Sequence, residues 1–407
     1  MNQHIELKQT DDDHYVTSKE ATELLKIKYS TLYSYVHDKK IRSIVSPSNK
    51  KKRLYNSKDI ESLLANKKTE SARTISNRAL HWGTPVLETR ISHISDDNLF
   101  YRSYPIKYLA KEYTFEQVTS YLWTGDFIQS KTFFNNNTRT LKEKHLDHTA
   151  QAIQIFLAKL GMEDLEGQII HDVPTLGAII IQKIVNGITN NFSNEEIHVK
   201  LAKYFCPDVK HADELIKASL IVIADHDLNA SSFTARVVAS TGANLYQVLI
   251  AGLSALTGYK HGGNTLKIEM FVKELLIELD IEKNLKNRKE EIIIGFGHKL
   301  YSNTDIRAEI LLKLLGEKFG QETRFQVIKK VERSCINESG KKPNVDFALY
   351  AVAYVLRKKF DSVSDFAFFL FALGRMAGWI AHTVEEYAQN ELIRPRSEYI
   401  GPPPIKN

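Results

Sequence analysis

The sequence predicts a mainly α fold, with a large all-α core domain preceded by a small winged helix-turn-helix. Three observations predict it. Beyond about Gly83 the chain is a succession of helix-length, mostly apolar segments with almost no strand pattern. Several of these segments are apolar nearly all round, which places them at the centre of a thick helical core. Before that point the pattern changes to short helices, a hairpin and an excess of positive charge.

The chain's 407 residues exceed one ordinary domain. From His14 to Glu70, 13 Lys or Arg stand against 6 Asp or Glu, a net +7, and the whole chain is +6, so the rest is close to neutral. A basic head on a neutral body points to a polyanion partner for the head alone. Cys206 and Cys335 lie far apart with no CxxC, which excludes a disulfide scaffold and a thiolate metal site and suits a reducing cytoplasm. The start, "MNQHIELKQTDDDHYV", lacks the apolar stretch of a signal peptide. The longest apolar run, "FAFFLFALGRMAGWIA", is short for a membrane span and holds Arg375 in its middle, so it reads as a buried helix and no membrane is expected.

Residues 1–68 form the head. "TSKEATELL" opens with a capping box, Thr17 followed three residues on by Glu20, and Ala21, Leu24 and Leu25 make its apolar face. "YSTLYSYVHDKKI" is a second short helix, with Leu32 and Val36 on one face. "SIVSPSNKKKRLYN" reads as strand, basic turn, strand, and "SKDIESLLANKK" as a closing helix. This segment resembles the DNA-binding domain of the MerR and excisionase-like families. The resemblance implies a nucleic-acid partner, with Lys50, Lys51, Lys52 and Arg53 meeting phosphates and Tyr29 and Ser30 facing the groove. Tyr33 and Ser34 share that helix, and Tyr33 is equally a candidate for the core. Residues 69–82 are polar and unpatterned, a linker, and residues 83–407 form the core domain.

The chemistry lies where apolar helices are interrupted: "ADHDLNAS", "KHGGN", "GFGHKLYSNTDIR", "PNVDF", "LGRMAGW" and "LIRPR". The spacing of Asp225, His226 and Asp227 does not put three ligands on one helix face, so no metal is expected. Arg375 is more telling. A buried guanidinium needs an anion, and positions 371, 372, 378 and 379 are not acidic. A distant acidic side chain is one answer. A carboxylate substrate is the other, and Arg307 and Arg394 sit in similar breaks, so that three arginines could clamp a small di- or tri-acid.

Taken in order, "TPVLETRISHISDDNLFYRSYPIKYLA", "ADHDLNASSFTARVVAST", "GYKHGGN", "GFGHKLYSNTDIRA", "PNVDF", "GRMAGWIAH" and "RPRSEYIGP" resemble the signature blocks of the citrate synthase family, which includes the 2-methylcitrate synthases. The resemblance implies a two-lobed helical core. It also implies an acyltransferase that joins acetyl-CoA or propionyl-CoA to oxaloacetate and hydrolyses the thioester, with no cofactor beyond its substrates. By the same resemblance His261 holds the enolate oxygen and Ser231, near Asn229, orients it. Gly262 and Gly263 let the thioester approach backbone. Asp346 is the general base, and His298 polarises the ketone and protonates the alkoxide. His226, Arg307, Arg375 and Arg394 contact oxaloacetate, the last in the neighbouring subunit's site, so at least a homodimer is implied.

Three departures accompany the match. Ile223 stands where the family often has His. Asn264 and Thr265 replace a small residue and an asparagine. Ser302 replaces a Lys or Arg expected at CoA phosphates, leaving Lys299 as the basic residue there. Two readings follow. One is an active transferase with a DNA-binding head, and the other a transcriptional regulator whose synthase-like domain senses a metabolite. A head that merely aids assembly is the third.

Overall fold

The structure is a computed structural model. It describes residues 14–47, 49–64, 87–134, 145–167, 172–277, 281–282, 285, 293–356, 363–397 and 399–403. The expected linker at 69–82 lies outside the described residues. The chain divides into two compact units, Met1–Glu88 and Thr89–Asn407.

In the first unit β1 (Tyr15–Thr17) leads into α1 (Ser18–Leu25), then α2 (Tyr29–His37), β2 (Ser43–Ser46), β3 (Asn49–Asn56) and α3 (residues 57–64). Thr17 and Glu20 form the expected reciprocal capping box. The sheet order is β1-β3-β2, antiparallel throughout, and its β1 edge was not anticipated. Two readings are corrected. Ser46 already pairs with Asn49, so the reversal is complete before Lys50, and Lys50, Lys51, Lys52 and Arg53 lie in β3 rather than in a turn. Leu24 is exposed, and Thr22 takes its place on the buried face beside Ala21 and Leu25. Ala21, Leu25, Leu32, Ile41, Tyr55 and Ile60 make this unit's own small core.

The second unit begins with a meander that the sequence pattern did not reveal: β4 (Ser92–Ser95), β5 (Asn98–Tyr101) and β6 (Tyr104–Pro105). Asp96 and Asp97, both at positive φ (50° and 58°), make the two-residue turn between β4 and β5. Helices follow: α4 (Ile106–Glu112), α5 (Phe115–Thr124), α6 (Ser130–Phe133), α7 (Ala150–Gly167), α8 (Val173–Thr189), α9 (Ile197–Phe205), α10 (Ala212–Ile223), α11 (Ala230–Ser240), α12 (Leu245–Leu256), α13 (Asn264–Ile277), α14 (Ile306–Phe319), α15 (Thr323–Ser339), α16 (Val345–Leu356) and α17 (Val363–Gln389). Polar side chains set their starts. Thr114 with Gln117 and Asn244 with Gln247 form capping boxes on α5 and α12, and Asp172 caps α8.

The 27-residue α17 runs through the core and packs on α5, α8, α10, α11, α12, α13 and α16. Its apolar window is long enough to cross a membrane, but 89% of it is buried by the other helices. Two glycines let α10 press against it. A Cβ on Gly374 would meet Ile223 Cγ2 and, at 2.8 Å, Leu220 O. One on Gly378 would meet Ala224 O and, at 2.7 Å, Asp225 Oδ1. This close approach carries the polar break after α10 up to Arg375. Gly374→Ala should therefore destabilise the core by about 1–3 kcal/mol, the usual cost of overpacking. Urea denaturation followed by tryptophan fluorescence would show the midpoint fall.

Candidate active site

The break between α10 and α11 is built first. Asp227 takes a left-handed turn (φ 50°), and Asn229 caps α11 by accepting from Ser231 N and Ser232 N, both at 3.1 Å. Asp225 is fully buried beneath this turn. Ser92 Oγ donates to its carboxylate, His382 Nε2 lies 3.2 Å from it, and its backbone N–H donates to Tyr101 Oη at 3.1 Å. Burial opposes its charge, but His382, Arg375 and Ser92 outweigh that and hold its carboxyl below the usual range. On this foundation His226 is buried with Nε2 2.9 Å from Tyr301 Oη, its ring 5.0 Å from His298 at 83°.

The loop before α14 supplies His298 and Tyr301. Gly295 and Gly297 turn at positive φ, and Gly297 N donates to Lys342 O at 2.8 Å while Asn344 N donates to Gly295 O at 2.9 Å. The loop is thereby tied to the start of α16, where Asn344 Oδ1 accepts from Asp346 N at 3.1 Å. At its far side Asp97 accepts from Ser302 N (2.6 Å), Ser302 Oγ (2.7 Å) and Asn303 N (3.0 Å). The residue that departs from the family's basic pattern is thus held by a carboxylate. Asp305 caps α14 and clamps Arg307 through Nε at 2.9 Å and Nη2 at 2.8 Å.

His261 sits in the turn after α12, its Nε2 2.9 Å from Ser231 Oγ. The structure gives a different reason for Gly262 and Gly263 from substrate access. A Cβ on Gly263 would lie 2.6 Å from Thr257 O, and one on Gly262 2.8 Å from Leu256 O, so both let the chain fold back onto the end of α12.

The charges single out what the site lacks. Arg375 is 1% exposed, and its only hydrogen-bond partner among the described residues is Ile223 O, 2.7 Å from Nε. Burial lowers its pKa to about 10 against the pull of Asp225. Burial also works against Arg307, but Asp305 prevails and raises that guanidinium above its usual value. Arg307 Nη1 makes no hydrogen bond among the described residues. Burial, then these cations, push His261 and His298 down to about 4 and His226 well below its ordinary value, so all three are neutral at pH 7. Asp346 goes the other way. Burial raises it to about 6, while Arg307 and a hydrogen bond from Asn264 pull it back.

These side chains act on one another as a single cluster. Lys299 lies exposed beside it. Arg394 is not brought in: it is exposed on the extended segment after α17. Tyr301 and Asp305 belong to the cluster and were missed. Their signal was their place in the "GFGHKLYSNTDIR" break. In the head unit Tyr29 and Tyr33 are 50% and 59% exposed, which removes Tyr33 from the core, and Ser30, Lys50, Lys52 and Arg53 are exposed too.

The model of the citrate synthase C-terminal domain matches residues 79–396, and a helix-turn-helix domain model matches residues 15–68. Citrate synthase 2 of Bacillus subtilis is 29% identical over 79% of this chain and 95% of its own length. The 2-methylcitrate synthase 1 of Corynebacterium glutamicum is 27% identical over 77% and 92%. Citrate synthase from Thermotoga maritima superposes with a TM-score of 0.62 at 24% identity, covering 80% of this chain and 96% of that one. The chain belongs to the citrate synthase family. It is an enzyme of the citrate synthase type, carrying a helix-turn-helix region at its N-terminal end.

The perturbed carboxyl can be seen directly. A protonated-carboxyl infrared band that titrates at about pH 6 should be present in the parent and absent from Asp346→Asn. A midpoint in the ordinary carboxylate range would mean that water reaches Asp346 freely.

Proposed function

We propose that this site condenses acetyl-CoA or propionyl-CoA with oxaloacetate and releases free CoA, in the cytoplasm and without a further cofactor. One observation carries the reading: two buried guanidinium groups with unfilled donors stand beside three neutral histidines and a carboxylate of raised pKa. Arg307 and Arg375, with His226, take the two carboxylates of oxaloacetate by charge-assisted bonds. Asp346 removes a proton from the carbon next to the thioester. His261 donates to the enolate oxygen that forms. For the neutral ring to donate from Nδ1, the Ser231 hydroxyl donates to Nε2. The enolate carbon attacks the ketone of oxaloacetate. The bound dianion offsets the arginines and raises the pKa of His298, so that the ring takes up a proton from water as oxaloacetate binds and gives that proton to the alkoxide. Water finally cleaves the thioester, and Lys299 offers its ammonium to CoA phosphates.

Arg394, exposed on its own chain, completes the site of a partner copy in this reading. Asp346→Asn should abolish thiol release while oxaloacetate still binds. Mixing that inactive variant with inactive Arg394→Ala should restore activity, because some mixed dimers hold one intact site. Full activity in Asp346→Asn removes the base, and no recovery after confirmed subunit exchange removes the shared site.

For the head we propose duplex DNA as partner, supported by the exposed Lys50, Lys52 and Arg53 on β3 and by the exposed Tyr29 and Ser30 on α2. Binding should weaken steeply with salt, by about one log unit per log unit of salt for each phosphate neutralised. A titration of duplex DNA at several salt concentrations measures the slope. No binding at low salt would leave the head an assembly module.

A further inference from the structure

The hydroxyl of Ser231 is the meeting point of three groups from separate parts of the chain. Asn229 Oδ1 lies 2.8 Å from it, His261 Nε2 2.9 Å, and Trp379 Nε1 3.2 Å. Ser231 and Trp379 are both completely buried. A hydroxyl has one proton and two acceptor sites, while an indole N–H can only donate and a carbonyl oxygen can only accept. Trp379 therefore takes one acceptor site on Oγ. The hydroxyl proton cannot point at the indole, so it is confined to Asn229 or His261. Asn229 Oδ1 already receives Ser231 N–H and Ser232 N–H.

The indole is itself held in a prepared slot. A Cβ on Gly252 of α12 would lie 2.7 Å from Trp379 Cδ2, so the ring lies flush against the α12 backbone. The ring thus has one seat, and from it Nε1 reaches one oxygen. We propose that Trp379 is a positioning residue of the reaction: through its N–H it fixes the Ser231 hydroxyl, and through Ser231 it fixes the donor face of His261.

This rests on the role given to His261, so the experiment separates the two. His261→Ala is assayed first, and activity retained there would sink that role and this inference with it. With His261→Ala inactive, Trp379→Phe tests Trp379 alone. It keeps the aromatic packing and loses the N–H. The turnover rate should fall about five- to tenfold, as expected for one net hydrogen bond. The KM for oxaloacetate should stay unchanged. The isotope effect with methyl-deuterated acetyl-CoA should rise, because deprotonation has become slower relative to other steps.

A merely structural tryptophan would move the melting temperature without this pattern. A double-mutant cycle decides further. Trp379→Phe added to Ser231→Ala should cost no more than about twofold beyond Ser231→Ala alone, since the tryptophan acts through the serine. Full additivity, or an unchanged turnover rate in Trp379→Phe, overturns the proposal. Should the Phe variant not fold, site-specific benzothienylalanine keeps the ring's shape, lacks the N–H, and gives the same reading.

Discussion

The close approach of α10 to α17 is the constraint on which the site depends. Gly374 and Gly378 remove two side chains from the face of α17 that meets Leu220, Ile223 and Ala224. Only then can the break after α10 lie against Arg375, whose Nε donates to Ile223 O at 2.7 Å. Asp225 follows at once in sequence and is fixed from far away, by Ser92 133 residues earlier and His382 157 residues later. The turn that presents His226 is therefore as rigid as the core around it.

That rigidity explains how the protein tolerates charges with few partners. A guanidinium whose one hydrogen-bond partner among the described residues is a carbonyl is costly to bury, and Arg375 is only 1% exposed. In the proposed function stability is given up here in favour of pre-oriented donors, which need no rearrangement when the dianion binds. Burial, and after it the field of these cations, holds three histidines neutral. At Asp346 burial prevails over the pull of Arg307 and Asn264 and leaves a pKa of about 6, a useful value for the base proposed here.

Much of this was legible in the sequence. Polar residues inside apolar helices stand out, and Arg375 was found that way; the order of the polar breaks gave the family resemblance, and the resemblance singled out Asp346, His261 and His298. What was hidden depends on contacts between distant segments. Nothing near Trp379 says that its N–H meets Ser231, 148 residues away. Tyr301 and Asp305 show their part only through contacts, the one beside His226 and the other clamping Arg307. Gly262 and Gly263 were read as room for a substrate, and the fold adds a second reason for them in the tight fit of the chain against Leu256 and Thr257. In the head, the strand β1 is too short to show a period, and it is the pairing of Ser46 with Asn49 that moves the basic residues from turn to strand.

The central claim is that Arg375 is kept buried and under-bonded for an incoming carboxylate, and Arg375→Met tests it most directly. Calorimetric titration of oxaloacetate and thermal melting without ligand are measured on the parent and on the variant. Loss of charge-assisted bonds should weaken oxaloacetate binding by about tenfold to a hundredfold. The cost of burying this charge is partly offset by its attraction to buried Asp225, so the melting temperature of the ligand-free protein should change little. A variant that melts lower and binds oxaloacetate as tightly as the parent would contradict the account, because Arg375 would then be a structural residue.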